Sequence, residues 1–117
     1  MKTRMLMLVS MALFIGLMTG SAAAQQNTTC TASGDLNLAP PLNAVYCYQN
    51  GTPLWLVTDY SSTQLKVEYV PTGQYQYITL AQNSFTQVCL SGVGCANINQ
   101  GTISNNQLPV SLTGFIE

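Results

Sequence analysis

Residues 44–58, AVYCYQNGTPLWLVT, decide the fold. Two apolar runs flank Asn50-Gly51, and an Asn-Gly pair readily takes the positive φ values of a two-residue type I′ turn. The stretch therefore predicts a β-hairpin. With those two residues in the turn, Gln49 faces Thr52, Cys47 faces Leu54, Tyr46 faces Trp55 and Val45 faces Leu56. Side chains alternate along a strand. One face then carries Val45, Cys47, Leu54 and Leu56, the core side. The other carries Tyr46, Tyr48, Trp55 and Val57. A hairpin that is apolar on one face and aromatic on the other needs a second layer of protein or a partner.

Toward the C-terminus, residues 64–70 alternate cleanly, with Leu65, Val67 and Tyr69 on one side and Gln64, Lys66 and Glu68 on the other. That is a strand with one wet face. Pro71-Thr72-Gly73 supplies a turn, because Pro presets one φ and Gly takes the positive one. Residues 75–80 return as a strand, with Tyr75, Tyr77 and Thr79 on one side, and residues 85–90 follow after a turn at 81–84. Residues 95–98 and 102–104 are weaker strand candidates around Gln100-Gly101. Residues 108–116 form the last strand, with Leu108, Val110, Leu112 and Ile116 on one face. Seven or eight short strands without a helical period make an all-β fold. The expected architecture is a small secreted β-sandwich or jelly-roll-like barrel, stabilised by disulfides.

Toward the N-terminus, Lys2 and Arg4 precede an apolar run, and Ala22-Ala23-Ala24 supplies the small residues of a cleavage site. Residues 1–24 are expected to be a secretory signal, too short in its apolar part to span a bilayer. Residues 25–43 lack a clear period and read as a polar N-terminal arm, with Leu36, Leu38 and Leu42 as its apolar anchors and Pro40-Pro41 as a stiff entry. Leu36 and Leu38 on one side also suit a short edge strand or a tail pairing with a neighbouring molecule. Residues 44–117 are then a single β domain.

Removing 24 residues from 117 leaves 93, with Lys66 alone against Asp35, Asp59, Glu68 and Glu117, a net charge of −3. Soluble domains carry about 25% charged residues, and here Gln, Asn, Ser and Thr take their place. One Lys and no Arg give no grip on phosphate, which argues against a nucleic-acid partner, and none on an anionic membrane surface. After signal cleavage no segment is long and apolar enough to span a membrane as a helix.

The cysteines are Cys30, Cys47, Cys89 and Cys95. Four in a short exported chain predict disulfides. Sequence proximity favours Cys30–Cys47 and Cys89–Cys95, the second closing a tight loop over Leu90 to Gly94. Cys30 is the candidate for a bond to another subunit if one is spared. The spacings do not suit zinc, and there is no His.

Catalytic chemistry is poorly supplied. Without His, no Ser-His-Asp or Cys-His arrangement forms. A carboxylate pair would have to come from Asp35, Asp59, Glu68 and Glu117, each of which has an ordinary turn, surface or terminal reading. No loop has the dense oxygen ligands of a calcium site. No enzyme activity, cofactor or metal is expected. The aromatic set Tyr46, Tyr48 and Trp55, with Tyr60, Tyr75 and Tyr77 nearby, suits a sugar ring or a protein surface. The competing reading places Trp55, the lone Trp, in the core. Asn27-Thr28-Thr29 and Asn50-Gly51-Thr52 match the N-glycosylation pattern.

Three functions fit these residues. The first is a non-enzymatic extracellular structural protein, a subunit of a surface filament, fimbria or coat. Low charge favours packing of copies, and sheet edges favour self-association by strand addition. The second is a small secreted module binding carbohydrate or protein through Tyr46, Tyr48 and Trp55. The third is a secreted inhibitor or effector presenting Leu90 to Gly94, a loop without a large or basic anchor.

Overall fold

The computed structural model describes residues 28–117, so the expected signal (residues 1–24) and Asn27 lie outside the described residues. Eight strands follow one another: β1 (Thr29–Asn37), β2 (Ala44–Gln49), β3 (Thr52–Asp59), β4 (Gln64–Tyr69), β5 (Gln74–Thr79), β6 (Ser84–Leu90), β7 (Gly94–Gln100) and β8 (Gln107–Phe115). They form two antiparallel four-stranded sheets, ordered β1-β8-β7-β6 and β2-β3-β4-β5. Consecutive strands are neighbours all the way round. The fold is therefore an up-and-down sandwich, without the Greek-key crossings of a jelly roll.

Alternation is plainest in β4, β7 and β8. Leu65 and Val67 on β4, Ile98 on β7, and Leu108, Val110 and Leu112 on β8 are all buried between the sheets. Each such side chain contributes about 1.5–3 kcal/mol when fully buried. Asn50 (φ 52°) and Gly51 (φ 80°) make the expected turn between β2 and β3. Asn105 (φ 53°) and Asn106 (φ 59°) make a second one before β8, closed by reciprocal Ser104–Gln107 backbone bonds. Residues 102–104, read as a weak strand, are loop with one isolated bridge at Ser104. The strand expected at 95–98 instead runs on through Gln100.

Two expectations are corrected. The stretch read as a polar arm is largely β1, paired with β8 from Thr29↔Phe115 to Asn37↔Gln107. Its inward series is Cys30, Ala32, Gly34 and Leu36, and the two small residues in the middle hide the alternation. The β domain accordingly begins before residue 44.

The second correction lies in the opening hairpin. Gln49↔Thr52 pairs as expected, but the ladder then slips, so that Cys47 faces Trp55 and Val45 faces Val57. Leu54 is the extra residue of a β-bulge, and its carbonyl accepts from the Val70 amide at 2.8 Å. A one-residue slip turns every following side chain to the opposite face. Trp55 and Val57 are thus buried, and Leu56 moves outward. Pro53, which has no N–H for the ladder, is the local signal for the bulge.

The indole of Trp55 crosses to β8 and lies on Gly114, where any Cβ would collide with the ring. Gly114 pairs with Cys30 on one side and Ala96 on the other, so small residues form the slot. Tyr69 packs edge-on against the indole at 5.3 Å between centroids.

Candidate functional site: two seams and a tyrosine face

The sheets meet along two seams. At one, β1 and β2 are joined by the Cys30–Cys47 disulfide. Asn43 adds to this closure: its Oδ1 accepts from the Asn37 amide at 2.6 Å, and its Nδ2 donates to the Asp35 carbonyl at 2.8 Å. Part of the free backbone of β1 is thereby used within the chain. Cys30, considered above for a bond to another subunit, is bonded to its own chain. The second disulfide, Cys89–Cys95, joins directly opposed residues of β6 and β7. No cysteine among the described residues is free.

At the other seam, β5 and β6 end the two sheets, and neither strand is paired along its outer edge. Side-chain amides hold the ends together. Gln100, buried on β7, donates from Nε2 to the Thr79 carbonyl and accepts from the Ala81 amide, both at 2.9 Å. Gln74 Nε2 donates to the Ser91 carbonyl at 3.2 Å at the opposite end. Neither β5 (QYQYIT) nor β6 (SFTQVCL) contains a charge, a proline or a glycine. Natural sheets often blunt their edges with charges or proline.

The outward face of the β2–β5 sheet carries the exposed tyrosines. Register places Tyr46, Leu56, Glu68 and Tyr75 in one row, and Ala44, Thr58, Lys66 and Tyr77 in the next. Strands lie about 4.8 Å apart, so Tyr46 and Tyr75 stand about 14 Å from each other across the sheet. Tyr46 and Tyr48 are exposed, as the hairpin reading requires, with their rings 6.0 Å apart. Trp55 does not join them, because the bulge turns it inward.

The denser aromatic group is at β5, beside the open seam. Tyr60, in the β3–β4 loop, stacks on Tyr77 at 4.3 Å between centroids, and Tyr75 meets Tyr77 at 5.3 Å. The Tyr60 hydroxyl, burial and the Tyr75 hydroxyl together push the Tyr77 phenol up to about 12. Lys66 lies over the Tyr75 ring at 4.5 Å while pairing with Glu68 at 3.4 Å. The sequence places Tyr75 and Tyr77 on one side of β5. It carries no signal that the Tyr60 ring folds back over them.

Two concavities border these elements. One of about 360 Å³ at the loop end has Leu38, Leu80 and Ile103 below Asp59, Ser61 and Ser62. Desolvation there raises the Asp59 pKa above its ordinary value. The other, about 410 Å³, is a trough on the opposite sheet where Pro109 and Val110 lie among Ser33, Asp35, Asn99 and Ser111. No group of three His, Cys, Asp or Glu able to hold a metal ion occurs among the described residues. Among the described residues no helix is long and apolar enough to cross a membrane. The two disulfides point to an oxidising compartment. The chain matches no protein-family model, no curated protein and no solved structure.

Proposed function

We propose that this chain is a non-enzymatic, secreted structural protein that assembles with copies of itself at the cell surface through the open β5/β6 seam. The observation that carries the reading is the pair of unblunted edges, β5 and β6, on the same side of the sandwich. An unpaired edge presents a row of backbone donors and acceptors ready to pair with another chain. The other seam is already closed by Cys30–Cys47 and Asn43. β1 and β2 also end their sheets but are tied to each other by that disulfide, so edge pairing through the β5/β6 side alone closes at two copies about a two-fold axis. A filament or coat then needs a second contact, and the nearly uncharged outward faces provide it without mutual repulsion.

Light scattering on a sizing column, with the disulfide-intact chain from residue 25, tests this. Dimers or larger species are expected. Gln76→Lys with Gln87→Lys, which charges both edges at exposed positions, should return them to monomer. A wild-type chain that stays monomeric at high concentration sinks the proposal. Removing residues 25–39 is not a clean test, because it takes away β1.

The tyrosine face favours a second reading, a module that binds neutral glycans by ring stacking. Its probe is a glycan array with Tyr75→Ala and Tyr46→Ala. Binding unaffected by both changes would remove it.

A further inference from the structure

We infer that Tyr60 and Tyr77 form a site of oxidative cross-linking, at which a one-electron oxidant of the peroxidase class joins the two rings into an intramolecular dityrosine. The bond forms within one chain, so the inference does not depend on assembly.

The geometry is specific to this pair. Their centroids are 4.3 Å apart with the ring planes inclined by 34°, so the rings are in van der Waals contact before any reaction. Tyr60 is exposed and Tyr77 half-buried, which leaves an oxidant access to one phenol while the other is held in place. The other exposed pair, Tyr46 and Tyr48, is separated by 6.0 Å on one strand. Tyr75 is 5.3 Å from Tyr77, but the Lys66 ammonium sits over its ring. A cation over a ring face opposes removal of an electron from that ring. An electron hole formed in the cluster is thus directed to Tyr60 and Tyr77.

The chemistry balances with hydrogen peroxide as the terminal acceptor. Each phenol loses one electron and one proton to give a phenoxyl radical. The two radicals join through a bond between ring carbons ortho to oxygen. The ring hydrogens displaced there return to the oxygens, restoring both phenols. The chain loses two hydrogen atoms in total, and one hydrogen peroxide is reduced to two waters. The new bond fastens the β3–β4 loop to the edge strand β5.

The test treats dilute, disulfide-intact protein with a haem peroxidase and hydrogen peroxide. Intact mass and peptide mapping follow on the monomer fraction. The expected product is a monomer short of two hydrogens, with residues 60 and 77 in one cross-linked peptide pair and dityrosine fluorescence. Tyr60→Phe and Tyr77→Phe keep the ring packing, and each should abolish that product. Tyr75→Phe and Tyr46→Phe should leave it. A monomer of unchanged mass, or one cross-linked through any other pair, overturns the inference, as does a product that survives in Tyr60→Phe.

Discussion

On one side of the sandwich, β1 meets β2 through Cys30–Cys47, and the indole of Trp55 lies nearby over Gly114. On the other side, β5 is tied to the facing sheet through Gln100 of β7 at one end and through Gln74 to Ser91, just after β6, at the other. The first seam has a covalent tie beside the hydrogen bonds of Asn43. The second is held by side-chain hydrogen bonds, with no covalent tie between the sheets. The proposed assembly uses the second seam and leaves the first to hold the sheets together. Chemistry that tightens the first seam should therefore set stability, and chemistry at the second should set association.

The largest effect is expected at Trp55. Truncating a buried Trp costs about 3–5 kcal/mol. The Trp55 Nε1 proton has no hydrogen-bond partner, and relieving that buried group returns part of about 1–3 kcal/mol. Trp55→Ala should thus fall in the lower part of the range in a denaturant melt. Gly114→Ala approaches the same slot from β8 and should cost about 1–3 kcal/mol by overpacking. If both changes were silent, the indole would not be what fastens this side.

The disulfides come next and separate the two sides directly. By loop-closure entropy, Cys30→Ala with Cys47→Ala, at a separation of 17 residues, should cost about 3 kcal/mol. Cys89→Ala with Cys95→Ala, at a separation of 6, should cost about 2 kcal/mol. Equal losses would mean that closing the β1/β2 seam matters no more than stapling one hairpin.

How much of this arrangement is legible in the residues depends on the length of chain that carries each signal. The Asn50-Gly51 turn and the alternation of Leu65, Val67 and Tyr69 are local, and they appear in the fold as read. The closeness of Cys30 to Cys47 in sequence points to the bond that joins the two sheets. The bulge at Leu54 is a single residue, flagged only by Pro53, yet it decides whether Trp55 is a surface ring or a core ring. Strand β1 is obscured because Ala32 and Gly34 hold inward positions with almost no apolar side chain. The open seam is the least legible feature. It follows from strand order and from Gln100 reaching the backbone of β5 across 21 residues, and neither leaves a local pattern.

Gln100→Leu tests the polar clip. It leaves the Thr79 carbonyl and the Ala81 amide without partners, at about 1–3 kcal/mol. Hydrogen exchange at Ala81 should quicken more than exchange in β3. Uniform quickening would show that the clip supports the whole fold and not this seam. At the free edge itself, Gln76→Lys should change stability by no more than about 0.5 kcal/mol while still weakening association. A mutant that loses both would tie the edge to folding and erase the contrast between the seams.

The smallest effect concerns the tyrosines beside the open seam. The Tyr77 phenol is pushed up to about 12, by the Tyr60 hydroxyl first, whereas an unfolded chain titrates near 10. Between those values the folded chain keeps a proton that the unfolded chain has lost. Stability from this group is therefore fully present below pH 10 and declines as the pH rises toward 12. An alkaline ultraviolet titration should show a late-ionising phenol that is absent in Tyr77→Phe and moved toward the ordinary value in Tyr60→Phe. If Tyr60→Phe leaves the late phenol in place, the Tyr60 hydroxyl is not what holds the proton on Tyr77. The stacked pair at β5 would then differ from Tyr46 and Tyr48 in ring distance alone.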